Sequence, residues 1–238
     1  MTDVPARALA VGAHPDDVEF GCGATLARWA AAGSEVHLLV LTDGSKGSWD
    51  AGDDVDDLVT RRRHEQDAAA RTLGAATVEF LDFVDGELEA GRAERAALCG
   101  VIRRLRPETV LGHDPWKRYR LHPDHRHAGR LLLDAVVAAR DPHFFPDRGA
   151  AHRPTRLLLF EAEVLDHVED AGPGLAAKVA ALLAHRSQWR STMGIEAGGP
   201  DEAAQREAFA ARIRDEAATV GAPWGLELAE GFKRLEPL

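Results

Sequence analysis

The sequence has few of the features that mark secreted or membrane proteins. Only two of its 238 residues are cysteines, Cys22 and Cys99, so at most one disulfide can form, and we interpret both as buried thiols of a reducing compartment. No stretch approaches the roughly 18 consecutive apolar residues of a membrane-spanning helix. The first residues also lack the basic start and apolar run of a signal peptide. We therefore expect a cytoplasmic protein with no membrane partner.

Positive charge is also in deficit, since the formal net charge is -10. Binding a nucleic-acid backbone needs a basic face, so we do not expect a nucleic-acid partner. Hydrophobic residues make up 45% of the chain, which is ordinary for a globular protein with a full core. A small molecule is the partner that this composition favours. The composition does not determine whether the protein is a monomer or a homo-oligomer.

The first 140 or so residues alternate between short apolar runs and amphipathic segments. This alternation predicts right-handed crossovers and an α/β fold with a mostly parallel, Rossmann-like sheet flanked by helices. The predicted strands are 7–13, 35–42, 77–81 and 109–113, and the predicted helices are 22–32, 57–73, 92–105 and 124–139.

The second half of the chain is less regular. Residues 156–164 resemble a strand, and 174–190 and 201–219 resemble helices. We predict a single domain over 1–238, with a core of about 7–165 and a smaller C-terminal helical extension of about 166–238 packed on it. In open α/β sheets, ligands bind beyond the carboxyl ends of the strands.

Two similar segments lie at such strand ends. Residues 14–17 (HPDD) follow the first strand, and residues 122–125 (HPDH) follow the fourth. One interpretation is that their aspartates cap helices, where proline is also common. Capping explains one such segment more easily than two in the same chain.

The residue types also suit a metal ion. A catalytic zinc site takes imidazole and carboxylate ligands from three residues and keeps one position open. His14 and Asp17 share one turn and His125 comes from the other, so we predict that these three bind one divalent ion. Asp16 and His122 then remain as general base and as donor to an oxyanion, and Asp124 as a residue that orients His122.

Ligand identity alone does not distinguish zinc from Fe²⁺. Two histidines and one carboxylate also describe the non-haem iron oxygenases, which are one alternative. A non-catalytic sugar- or nucleotide-binding module is another. A dinucleotide site at residues 21–23 (GCG) is not favoured, because the third glycine of that motif is missing.

Five segments together resemble, in order and spacing, the LmbE/PIG-L family of zinc-dependent N-acetylglucosaminyl deacetylases. They are AHPDDVEFGCGATLA, LTDGSKGS, RRRHEQDAAARTLGA, Asp85-Gly86 and HPDHRHAG, and HRSQ at 185–188 is similar to a further family feature. The resemblance implies a hydrolase that removes an N-acyl, mainly N-acetyl, group from an amino sugar or sugar-like conjugate. It implies the same zinc ligands, with Asp16 as base and His122 at the oxyanion.

The resemblance also implies two substrate-binding residues, Arg62 and Asp85. A surface salt bridge between Arg62 and Glu65 is the alternative for the first, and a simple Asp-Gly turn for the second. The loops 43–57 and 115–121 flank the predicted site, and we expect them to set substrate choice. Three further histidines lie near the site in sequence, His113, His127 and His143, and we expect each to be a packed or exposed side chain and not a ligand.

Overall fold

The computed structural model describes residues 3–238. The strands are β1 (Arg7–Gly12), β2 (Glu35–Thr42), β3 (Thr77–Phe83), β4 (Thr109–His113), β5 (Arg156–Phe160), β6 (His167–Asp170) and β7 (Ala229–Leu235). The main helices are α1 (Asp17–Ala31), α2 (Val55–Leu73), α3 (Arg92–Leu105), α4 (Pro123–Arg140), α5 (Leu175–Ala184) and α6 (Glu202–Gly221). Within residues 3–238, no helix is long and apolar enough to cross a membrane.

The seven strands form one sheet in the order β3-β2-β1-β4-β5-β7-β6. The first five are parallel, whereas β7 runs antiparallel to both β5 and β6. The chain moves outward from β1 to β2 and β3 on one side, then returns to β4 on the other. A crevice opens at such a switch point, beyond the carboxyl ends of β1 and β4. The predicted α/β fold is confirmed.

Both faces of the sheet are covered, which is why β1 and β2 are almost continuously apolar. On one face, α3 and α4 supply Leu98, Ile102 and Leu132 to the core. On the other face, α1 and α2 supply Leu26, Trp29 and Leu73. Burying each of these large side chains contributes about 1.5–3 kcal/mol. The rigid central strands therefore hold the loops at their carboxyl ends in place.

The C-terminal region differs from the helical extension that we expected. It contributes two strands, β6 and β7, as well as α5 and α6. The strand predicted over 156–164 ends at Phe160, because Glu161 adopts a positive φ of 53°. The helix predicted over 174–190 ends at Ala184 and is followed by a 3₁₀-helical turn and a π-helical turn. The division of the chain into core and extension stays a prediction.

Helix α1 begins at Asp17, five residues earlier than expected, and is interrupted near the predicted start. Cys22 has a non-helical backbone, with φ -153° and ψ 18°. Its thiol is buried and unpaired, as is that of Cys99. The interruption divides α1 into a first turn, which starts at the candidate site, and a longer second part.

A buried ion pair satisfies the backbone groups that this interruption leaves free. The Glu230 carboxylate on β7 accepts hydrogen bonds from the backbone N–H groups of Ala24 (3.1 Å) and Thr25 (2.7 Å). Lys178 on α5 donates to the carbonyl of Phe20 (2.7 Å) and to Glu230 (2.6 Å). The C-terminal region therefore completes the helix that begins at the candidate site.

Candidate metal centre

The segment 14–17 forms a tight turn between β1 and α1. Asp16 lies there in the left-handed region, with φ 98°, and its side chain makes no capping hydrogen bond. Its backbone N–H instead donates to Gln66 Oε1 (3.0 Å). The backbone N–H of His14 donates to Asp17 Oδ2 (2.7 Å). Strained backbone of this kind is concentrated at functional sites, and the Asp16 carboxyl is not used as a helix cap.

The structure brings the three predicted metal ligands together. His14 Nδ1 lies 3.1 Å from His125 Nε2 and 3.3 Å from Asp17 Oδ2, and His125 Nε2 lies 3.3 Å from Asp17 Oδ1. A tetrahedral ion with bonds of about 2.0–2.1 Å places its ligand atoms about 3.3 Å apart. Two imidazoles and a carboxylate at this spacing fit a divalent metal ion.

Potential ligands are concentrated at this edge of the sheet. Among residues 3–238, each group of three or more such side chains with ligand atoms within 4.8 Å of one another includes at least one of the predicted ligands. These groups are His14–His122–His125, Asp17–His113–His125 and His14–Asp85–Asp124, so the three predicted ligands are divided between the first two groups. His14 contacts Oδ2 of Asp17, whereas His125 contacts Oδ1.

Asp124 orients His14 and not His122, so that prediction is wrong. His14 Nε2 lies 3.2 Å from Asp124 Oδ2 and 3.1 Å from Asp85 Oδ1. Burial acts to raise the pKa of Asp124, but hydrogen bonds from His14 and from the Gly86 N–H outweigh it and hold that pKa below its ordinary value. Metal-binding histidines commonly donate their second N–H to such a carboxylate, which fixes the ring and the tautomer.

His122 lies beside the ligands with one nitrogen directed at the backbone. Its Nδ1 accepts a hydrogen bond from the N–H of Asp124 (3.3 Å), so it caps α4. The proton of the neutral ring is then on Nε2. Burial, together with the charge on His14, lowers the pKa of His122. With its proton on Nε2, His122 can donate a hydrogen bond beside the predicted ligands.

Asp16 is buried next to this group. Burial raises the pKa of Asp16 to about 6, although the Arg62 guanidinium opposes the rise. Arg62 Nη2 lies 4.0 Å from Asp16 Oδ2. A general base works best when its pKa is near the working pH.

The comparisons with known proteins identify the family. The family model of PIG-L, GlcNAc-PI de-N-acetylase, matches residues 9–136, which is more than half of the chain.

The chain belongs to this family.

Three relatives illustrate the match. A diacetylchitobiose deacetylase of Thermococcus kodakarensis is 42% identical over 58% of this chain, which spans about half (52%) of that protein. A 1D-myo-inositol 2-acetamido-2-deoxy-alpha-D-glucopyranoside deacetylase of Mycolicibacterium gilvum is 32% identical, over 76% of this chain and 80% of its own. The solved N,N'-diacetylchitobiose deacetylase of Pyrococcus horikoshii has a TM-score of 0.85 and 28% identity, and the match covers 98% of this chain and 85% of that one.

Arg62 of this PIG-L family member is not in a surface salt bridge, so that alternative is wrong. Its side chain is only 3% exposed, and it donates to the carbonyls of Gly44 (2.9 Å) and Pro15 (2.8 Å). Glu65 instead accepts hydrogen bonds from the Ser187 backbone N–H and hydroxyl. Arg62 therefore ties the loop after β1 to the loop after β2.

Asp85 both forms a turn and faces the site. Gly86 takes the positive φ of 78° that the turn needs. One Asp85 oxygen contacts His14, and the other accepts a hydrogen bond from the backbone N–H of Lys46 (3.0 Å). The two interpretations of Asp85 are therefore compatible.

A chain of contacts behind the ligands was not predicted from the sequence. His113 Nε2 lies 3.2 Å from Asp17 Oδ2, and its Nδ1 lies 3.3 Å from Glu161 Oε2. Arg120 contacts Glu161 (2.7 Å) and donates through Nε to His125 Nδ1 (2.9 Å). His113 is thus more than a packed core histidine. Its position as the last residue of β4, at the carboxyl end, is the signal that could have identified it.

The remaining two histidines lie elsewhere. His127 on α4 contacts the backbone carbonyl of Leu88, and His143 is exposed, as expected. A cavity of about 730 Å³ opens over the candidate site, and its wall includes side chains of both loops that we expected to set substrate choice, Lys46 on one and Lys117 and Arg120 on the other.

Proposed function

We propose that the protein is a metal-dependent N-deacetylase that hydrolyses the N-acyl, mainly N-acetyl, group of an amino sugar or sugar-like conjugate. The observation that carries this proposal is the convergence of His14, Asp17 and His125 at metal-binding distances, with Asp16 and His122 beside them. Membership of the PIG-L family and the names of its relatives support the same reaction.

Zinc is the ion that we assign to the site. His14 Nδ1, His125 Nε2 and the Asp17 carboxylate would hold it, while Asp124 and Asp85 fix the His14 ring from behind. When bound, zinc supplies a Lewis acid that polarises the amide carbonyl and lowers the pKa of water.

The chain's own residues would carry the proton transfers. A water molecule loses its proton to the Asp16 carboxylate as its oxygen adds to the amide carbon. The developing oxyanion accepts a hydrogen bond from His122 Nε2. Asp16 then returns the proton to the departing amine. The Gln66 side chain, through its hydrogen bond to the Asp16 N–H, keeps the carboxyl in position for both transfers.

The substrate would lie in the cavity above these groups. Asp85 and Arg62 line it, and both are close enough to the ligands to contact a sugar that is bound through its amide. Sugar recognition needs fixed donors and acceptors because a buried, unpaired hydroxyl is unfavourable. Lys46, Lys117 and Arg120 add positive charge to the same wall.

The experiment is a screen of N-acetylated amino sugars in which the free amine is measured with and without a chelator. We expect release that the chelator abolishes and that zinc restores. Asp16→Asn should keep the metal and lose about 10²–10⁴-fold in rate. Asp134→Asn, at an exposed carboxylate on α4, is the matched control and should act as the native protein does.

Two results would instead support the alternatives. Oxygen consumption by an iron-loaded protein, without amine release, indicates an oxygenase. Sugar binding that survives in Asp16→Asn, with no turnover by the native protein, indicates a binding module.

A further inference from the structure

The cavity over the metal centre has a second, apolar part. Beyond the ligands, it extends between the first turn of α1 and the C-terminal elements α5, α6 and β7. We call this part the apolar arm. It is defined by the side chains of Phe20, Leu165, Leu175, Ile213, Ala217 and Val220. The whole cavity, about 730 Å³, lies within the roughly 300–1,000 Å³ that is typical of small-molecule sites.

Half of the side chains that define the arm belong to the folded core. Leu175, Ile213 and Ala217 are only 4%, 3% and 7% exposed and are members of one buried cluster with Phe209. Leu165 and Val220 close the arm over the bare backbone of Gly231, where an added Cβ would lie 2.8 Å from Leu165 Cδ1. One side of the arm is therefore formed by the folded core, whereas Leu165 closes it from the exposed loop between β5 and β6.

The two buried charged groups along the arm are already paired. Lys178 and Glu230 both line the cavity, but they bind each other and the backbone at the interruption of α1. A sugar hydroxyl placed there would lose its hydrogen bonds to water and find few in return. Glu216 also lines the cavity, but it is exposed to solvent. The arm thus favours a hydrocarbon group over a second sugar.

On the basis of the proposed deacetylase function, we propose that the substrate carries an apolar chain that lies in this arm while its amide is at the metal centre. In an N-acylated amino sugar, this apolar chain can belong either to the acyl group or to an alkyl aglycone. Both present the same chemistry to Phe20, Ile213 and Val220. Each methylene buried in the arm should raise kcat/KM by about fourfold, the equivalent of about 0.8 kcal/mol.

Two substrate series distinguish these sources. The first is the methyl, butyl, hexyl and octyl glycosides of N-acetylglucosamine. The second is methyl glucosaminide carrying acetyl, butanoyl, hexanoyl or octanoyl amides. All are used below their micellar concentrations. We expect kcat/KM to rise with chain length in one series until the arm is filled, mainly through a lower KM. No rise in either series would overturn the proposal.

A variant links the effect to the arm. Ala217→Phe places a ring in the arm and should abolish the rise with chain length, whereas Ala208→Phe, at an exposed position of the same helix, should keep it. Metal content and thermal unfolding show whether each variant is folded. If Ala217→Phe does not fold, Val220→Trp, at a half-buried position, tests the same wall. A rise that persists in a folded variant would contradict the assignment.

Failure of the proposed function gives a different result. If neither series releases an amine, the deacetylase proposal fails and the arm is tested by calorimetry with octyl and methyl glucoside. We then expect binding of octyl glucoside only, and its loss in Ala217→Phe. Equal or absent binding of both glucosides would overturn the proposal of an apolar site.

Discussion

The buried pair of Lys178 and Glu230 should contribute strongly to the stability of the fold. Glu230→Ala removes the acceptor of two backbone N–H groups, those of Ala24 and Thr25, and leaves the Lys178 ammonium without its counter-ion. Breaking a buried ion pair by removing one partner costs about 3–5 kcal/mol. This is a large part of the roughly 5–15 kcal/mol that stabilises an ordinary domain.

Urea unfolding followed by tryptophan fluorescence measures this loss. With a denaturant slope of about 2–3 kcal/mol/M, the midpoint should fall by roughly 1–2.5 M. Glu227→Ala, at an exposed position just before β7, is the control and should change the free energy of unfolding by less than about 0.5 kcal/mol.

A double variant tests the pairing itself. In Lys178→Met with Glu230→Gln, no buried charge is left alone. The free energy of unfolding lost in the double variant should therefore be at least about 1 kcal/mol smaller than the sum of the losses in Lys178→Met alone and Glu230→Gln alone. A loss below about 1 kcal/mol in Glu230→Ala, or strict additivity in the double variant, would refute the reasoning.

Three further predictions concern the metal centre. His113→Ala should weaken metal affinity by about 10–100-fold, measured by competition with a chelator, whereas His143→Ala at an exposed position should not; equal affinities would contradict the role given to His113. Arg62→Lys should lower kcat at least about tenfold with the metal retained, because one ammonium cannot bridge the carbonyls of Pro15 and Gly44; native kcat would show that this bridge is unimportant. Metal removal should lower the free energy of unfolding. The loss should be about 4 kcal/mol relative to protein at a free-ion concentration about 1,000 times the Kd. An unchanged melting temperature would argue against a metal site in the folded protein.

The central strands were predictable because the local pattern determines them. Residues 36–41 are apolar except for His37, and a run of this length that is rich in Val and Leu is typical of a strand buried on both faces of a parallel sheet. The position of the two histidine motifs at strand ends then followed from the switch-point rule.

The missed features depend on tertiary contacts. Strand β7 carries Glu230 and Gly231, and neither residue fits the alternation of apolar and polar side chains by which a strand is predicted. Glu230 accepts a hydrogen bond from the backbone at the interruption of α1, and Gly231 lies under Leu165. The partner of Asp124 depends on the orientation of the His14 ring, which a motif does not encode. For the same reason, the sequence did not reveal that Arg62 is buried.

The central claim is that His14, Asp17 and His125 bind the one ion that amide hydrolysis requires. Zinc titration of the metal-free protein, with amine release from methyl N-acetylglucosaminide measured at each step, tests it most directly. We expect activity to rise linearly and to saturate at about one zinc per chain, and we expect His14→Ala to show neither binding nor activity. Full amine release from metal-free protein, or native saturation in His14→Ala, would contradict it.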